Sequence, residues 1–312
     1  MPGSPPPRRT FLLFDALFAR LVELSDRALV VFVNGLFGAD LPWDARVDRL
    51  STAQHDGHGP RYPDLVLRIA GVTFHVEAQT GRDGLMAVRV FSYGYREAVR
   101  TRRRADGVTV LELPQARVVY LEAGARSAEV EVLRLVFPDG SVHDYRIDSV
   151  VVGKHDAAGL DEAGLDVLVP FVPMRLRRRV RAAGSERRAA LAAELSGLLV
   201  DMSRALRAGR AAGRLSGEDE ALLAGLADEL VTQEFVERFE EFKEANAMAP
   251  MVKLRWERAW DEALEQGREE GRGLARRELA LRMIEGGLAD DDIARYSGLT
   301  PAEVTELRRS IS

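Results

Sequence analysis

Leu65-Val66-Leu67-Arg68-Ile69-Ala70-Gly71-Val72-Thr73-Phe74-His75-Val76-Glu77-Ala78-Gln79 reads as two short β runs joined by a tight turn. With Ala70-Gly71 as a two-residue loop, Ile69 faces Val72 and Leu67 faces Phe74. The same register, set by that turn, puts Asp64 opposite Glu77. Directly opposed residues have Cβ atoms about 4.5–5.5 Å apart, and like charges there are destabilising unless something positive lies between them. Alternation puts His75, Glu77 and Gln79 on one face, while Phe74, Val76 and Ala78 point into a core. One face of one hairpin thus carries Asp, Glu, Gln and His, a set suited to a hard divalent cation such as Mg²⁺. An ordinary reading stays open: Glu77 as a solvent-facing strand residue, Asp64 as the end of a turn after Pro63.

Residues 1–10, Pro-rich, read as a disordered tail. Residues 11–38 carry Phe11, Phe14, Leu17, Phe18, Leu21, Leu24 and Leu29 at helical spacing, with Asn34-Gly35 as a break. Residues 51–60 read as a loop with two histidines, and 84–101 as a helix. Residues 116–122 form an apolar, β-branched run, and 129–137 and 142–152 flank the turn signal Pro138-Asp139-Gly140. Beyond about residue 160 strand signals stop, and 185–285 is rich in Ala, Leu, Glu and Arg with helical periodicity. The expected plan is a mixed α/β domain over 11–175, a helical region over 176–288 and a small helix-turn-helix-like end over 289–312.

The chain has 312 residues, no cysteine and a formal charge of −5. Without cysteine there is no disulfide framework, thiolate metal site or cysteine nucleophile. No apolar run is long enough for a membrane span, and the start does not read as a secretory signal, so a soluble cytoplasmic protein is expected. Of 44 basic residues only Lys154, Lys243 and Lys253 are lysines. This looks like a coding bias, so arginine clusters are discounted as signals. The negative total does not speak against nucleic acid, because the run from Arg89 to Arg104 is basic while much of the acidity lies in the C-terminal helices.

Pro63-Asp64 followed by Glu77-Ala78-Gln79 resembles the PD-(D/E)xK nuclease motif, and His75-Val76-Glu77-Ala78-Gln79 resembles its HxExQ form. That form is typical of the recombination-promoting nuclease family, also described as PD-(D/E)xK putative transposases. Four further segments resemble that family in order: Asp15-Ala16-Leu17-Phe18, the helix from Met86 to Tyr93, Leu165 to Phe171, and the stretch from Gly267 to Arg309. Two departures stand out. Ala19 follows the first segment where the family often has lysine, and Gln79 stands where most of the wider superfamily has lysine.

The resemblance implies an α/β, restriction-endonuclease-like core of a mixed sheet flanked by helices, followed by an all-helical C-terminal region. It implies Mg²⁺- or Mn²⁺-dependent hydrolysis of DNA, in recombination, mobile-element biology or phage defence. Asp64, Glu77 and the Ala78 carbonyl would hold the cation, which polarises the phosphate and activates water. Gln79 would orient water or a phosphate oxygen, though glutamine supplies no charge. His75 is a catalytic candidate or simply a polar neighbour. Glu23 is the candidate acid from the first helix. Arg89, Tyr93 and Arg96 share one helix face by spacing, which reads as a phosphate-contact surface.

Near the C-terminus, Thr300-Pro301-Ala302-Glu303 is a helix start: Thr as cap, Pro at the first position, Glu at the third. The helices there suit a homo-oligomer contact as well as they suit DNA reading. Two other readings remain open: a catalytically inactive nuclease-fold module that binds DNA or protein, and a helical oligomerisation protein.

Overall fold

In the computed structural model, strands β4 (Leu65–Ile69) and β5 (Val72–Gln79) pair antiparallel, with Ile69 opposite Val72 and Leu65 opposite Val76. The register is the one expected from the sequence. Ala70 and Gly71 both adopt positive φ, 49° and 83°, the backbone sense that matches the twist of a two-residue hairpin. The structure describes residues 14, 16–50, 54–56, 59–61, 65–80, 84–122, 129–243, 280, 284, 293–294 and 299–310. It divides into two units, Met1–Trp256 and Glu257–Ser312.

The hairpin lies inside a six-stranded mixed sheet of order β1-β4-β5-β8-β10-β9. The other strands are β1 (Val47–Arg49), β8 (Gln115–Tyr120), β9 (Val130–Val136) and β10 (Val142–Val151). β5 pairs parallel with β8, and β8 with β10; the remaining neighbours are antiparallel. A parallel pair needs a long crossover. Helix α2 (Met86–Arg100) lies within the β5-to-β8 connection.

Both faces of the sheet centre are covered. Leu65, Leu67, Phe74, Val76, Ala78, Val119 and Leu121 face a large core that also takes in helix α1 (Asp26–Phe37). On the other face Met86, Ala87 and Val90 of α2 pack over Ala116, Val118, Tyr120 and Ile147. The alternation read along β5 therefore divides two buried environments, not core from water.

Several segments differ from the sequence reading. The stretch 11–38 is not one helix broken at Asn34-Gly35. A 3-10 turn at Arg20–Glu23 ends in extended Leu24, and Ser25 starts α1 by accepting from the Ala28 amide. Asn34 stays helical because its carboxamide bonds both backbone groups of Leu41. Gly35 stays because a Cβ there would lie 2.4 Å from the Ala163 carbonyl. Residues 51–60 are not a plain loop: β2 (Gln54–Asp56) and β3 (Gly59–Arg61) pair antiparallel. Arg103 and Arg104 belong to another small hairpin, β6 (Arg103–Ala105) with β7 (Val108–Val110), turned by Asp106 and Gly107 at positive φ.

Beyond the sheet come α3 (Ala157–Glu162), a 3-10 segment (Asp166–Phe171), α4 (Met174–Ala182), α5 (Ser185–Ala211) and α6 (Gly217–Val231). Packing runs across the expected boundary at 175, since one core cluster extends from Phe14 to Phe242. Charged ties reinforce it. Arg177 bonds Glu122, two residues past β8, and its Nε lies 2.9 Å from Glu234. Glu234 also receives Arg181 and Arg238, each at 3.1 Å. Glu122 and Glu234 are both buried, so these partners offset a desolvation that would otherwise be prohibitive.

In the second unit, Ala280, Ile284, Ile293 and Val304 form a small apolar cluster. Helix α7 (Pro301–Ser310) starts as expected: the Glu303 carboxylate accepts from the Thr300 amide at 2.7 Å, and the Thr300 hydroxyl accepts from the Glu303 amide. The first half of the expected helix-turn-helix lies mostly outside the described residues. No described helix is long and apolar enough to cross a membrane.

Two stability outcomes follow. Ala70→Asn places a residue better suited to positive φ in the turn and should raise stability by about 0.5–1 kcal/mol in urea unfolding. Arg177→Met leaves two buried carboxylates with fewer cations and should lower it by about 3 kcal/mol. An unchanged midpoint for Arg177→Met would show that its neighbours alone suffice.

Candidate functional site

Strand β5 ends in Glu77-Ala78-Gln79, and α2 begins seven residues later. That short link lays the first turns of α2 over the face carrying His75, Glu77 and Gln79. Because the parallel neighbour β8 continues past β5, the Leu121 amide donates to the Gln79 carbonyl at 2.8 Å.

Glu77 is only 4 % exposed, so its carboxylate must be satisfied by protein groups. Arg89, one turn into α2, supplies the charge: its Nη2 lies 2.7 Å from Glu77 Oε1. The second oxygen, Oε2, lies 3.3 Å from His75 Nε2, which donates to it in the Nε2-protonated tautomer. Gln79 joins them. With its amide turned to satisfy both groups, its carboxamide oxygen accepts from Arg89 Nη2 and lies 3.3 Å from Nη1. The buried His75 ring meets the Tyr93 ring edge-on at 5.9 Å. Two oxygen acceptors from alternate β5 residues therefore converge on one positive group.

The structure brings together four of the residues singled out from sequence: His75, Glu77, Gln79 and Arg89, with Tyr93 against the histidine. Arg89 and Tyr93 turn toward the sheet, where Glu77 and His75 draw them, and so do not present an outward phosphate-contact face. Arg96, two turns along, is exposed. Ala78 points its methyl into the core while its backbone runs between Glu77 and Gln79. Glu23 is exposed and lies 3.9 Å from Arg20. Among the described residues no third acidic or histidine side chain joins His75 and Glu77 in a metal-sized group. Asp64, the expected carboxylate across the ladder, and Asp15 lie outside the described residues.

Hard oxygens that converge on a cation are the donor set a divalent ion takes. Glu77 and Gln79 thus fit a cation on their chemistry, and the positive group they meet is the guanidinium of Arg89. The sequence reading missed this role of Arg89. Its only signal was the need for a positive group beside Glu77, which the hairpin register had raised.

Comparison with protein-family models, with curated proteins and with solved structures finds no match to this chain.

The Glu77–Arg89 pair should behave as a coupled unit. Arg89→Met alone should lower unfolding free energy by about 2–3 kcal/mol, since it strands a buried carboxylate. Adding Glu77→Gln should recover most of that loss. Urea denaturation of the two single variants and the double variant measures the coupling; simple additivity would show that the pair does not hold in solution.

Proposed function

We propose that this protein is a metal-dependent endonuclease of the PD-(D/E)xK type, acting on DNA phosphodiesters. The observation that carries the reading is the convergence of Glu77 and Gln79 oxygens on one positive group, on the strand that leads into α2. The mixed sheet flanked by helices and the order of the segments along the chain agree with it.

In this reading Glu77 and Gln79 hold the cation from β5, with the Ala78 carbonyl and Asp64 completing the set as the resemblance implies. The bound ion would polarise the phosphate and lower the pKa of a coordinated water. His75 fixes the Glu77 carboxylate through Oε2, leaving Oε1 as the oxygen directed toward the cation. Tyr93 packs on the imidazole and limits its rotation. Gln79 donates or accepts hydrogen bonds but cannot take a proton from water, so the attacking water loses its proton to solvent or to the phosphate. Arg96, exposed on α2, would meet the DNA backbone without reading sequence.

A second reading has one observation in its favour. Arg89 already neutralises Glu77, as it would in a nuclease-fold module that binds DNA or protein without cutting.

Nicking of supercoiled plasmid separates the two. Mg²⁺-dependent cleavage should appear, vanish with EDTA and fall at least about a hundredfold in both Asp64→Ala and Glu77→Ala. Plasmid binding with no cleavage at any Mg²⁺ or Mn²⁺ concentration supports the inactive module. Cleavage that survives both substitutions would remove the site from β5.

A further inference from the structure

We infer that Arg89 is a built-in occupant of the cation site, and that a divalent ion binds Glu77 only by displacing its guanidinium. The inference rests on the reading that Glu77 and Gln79 form a cation site, and adds that the chain carries its own competitor for it.

The geometry allows no sharing. Arg89 Nη2 sits 2.7 Å from Glu77 Oε1 and is also the donor to the Gln79 carboxamide oxygen. The other Glu77 oxygen faces His75. An ion that used Oε1 and Gln79 would have to stand where the guanidinium stands, and two positive groups at that separation repel strongly in a buried setting. A lysine there could clear the site by losing its proton, but a guanidinium stays charged at every accessible pH. Arg89 therefore has to move.

It has room to move. The anchors of the first turns of α2 are Met86 and Val90, both fully buried, so the Arg89 backbone is fixed. Its side chain is 19 % exposed, and the neighbour Val88 is exposed. A long flexible stem lets the guanidinium swing outward with no change in the helix. The pairing also explains how a carboxylate this buried is tolerated when no ion is present. Without Arg89, Glu77 would be a stranded charge; with it, the site is stable but closed.

The consequence is thermodynamic. Apparent ion affinity is the intrinsic affinity reduced by the fraction of molecules in which Arg89 has already left. Removing the competitor should therefore tighten ion binding even though it removes a native ion pair.

The test uses the full chain without DNA. Mn²⁺ is titrated calorimetrically into wild type, Arg89→Gln, Glu77→Gln and the double variant. Arg89→Gln should bind Mn²⁺ about tenfold or more tightly than wild type, and both Glu77→Gln forms should lose the site. The companion measurement is read on wild-type protein. The Arg89 Nε–H resonance of wild-type protein, assigned by its absence in Arg89→Lys, should shift as Mg²⁺ is added and stay fixed in Glu77→Gln. Equal or weaker Mn²⁺ binding by Arg89→Gln, or an Arg89 resonance unmoved at saturating Mg²⁺, overturns the inference while leaving the cation site intact. No Glu77-dependent binding in either wild type or Arg89→Gln overturns the site itself, and the inference with it.

Discussion

Strand β5 has protein on both faces and a hydrogen-bonded neighbour on both edges. Nearly everything about the candidate site follows from that enclosure. A buried polar side chain on such a strand has no water to fall back on, so it must meet a specific partner. Glu77 takes Arg89 and His75, Gln79 takes Arg89, and His75 takes Glu77 and the edge of Tyr93. The turn at Ala70-Gly71 locks this arrangement. A slip of one residue would send Glu77 into the core in place of Phe74 and Val76 and bring Ala78 to face Arg89.

Much of the sheet was legible because its signals are local. Period-two alternation over 72–79, a short turn between apolar runs, Pro138-Asp139-Gly140, and the Thr300–Glu303 capping pair each need only neighbours in sequence. Part of what escaped depended on distant groups. The Ser25 cap on Ala28 is local, but the break at Leu24–Ser25 is also held by Asp219, whose carboxylate accepts from both the amide and the hydroxyl of Ser25 at 2.7 Å. No window around Ser25 contains that information. Asp106-Gly107 was a local signal, passed over because the arginines beside it were read as part of a basic surface. The direction of Arg89 could not be read at all: helical spacing says which residues share a face, but not whether that face looks at solvent or at a carboxylate.

The arginine excess takes on a meaning that composition alone denied it. Coding bias accounts for how many arginines there are, not for where they are placed. Arg177 joins Glu122 to Glu234, and Arg214 joins the 3-10 segment and α3 through Asp166 and Asp161. The bond to Asp166 raises the Arg214 pKa above its ordinary value, while burial and then the neighbouring Asp166 push the Asp161 carboxyl up. A planar, always-charged fork suits such buried ties, since it can satisfy two carboxylates at once. Arg178, Arg179 and Arg181 on α4 likewise meet Glu122, Glu194 and Glu234. The basic appearance of that helix in the sequence is largely cancelled by acids brought in from elsewhere.

The bond from Ser25 to Asp219 spans 194 residues. A ribosome adds about 5–20 residues per second, so Ser25 waits on the order of 10–40 s before its partner exists. Over that interval Phe14, Phe18 and Leu21 have emerged with only part of their eventual packing partners. The turn ahead of α1 is thus made early and fixed late: its Asp219 partner exists only once α6 has been started.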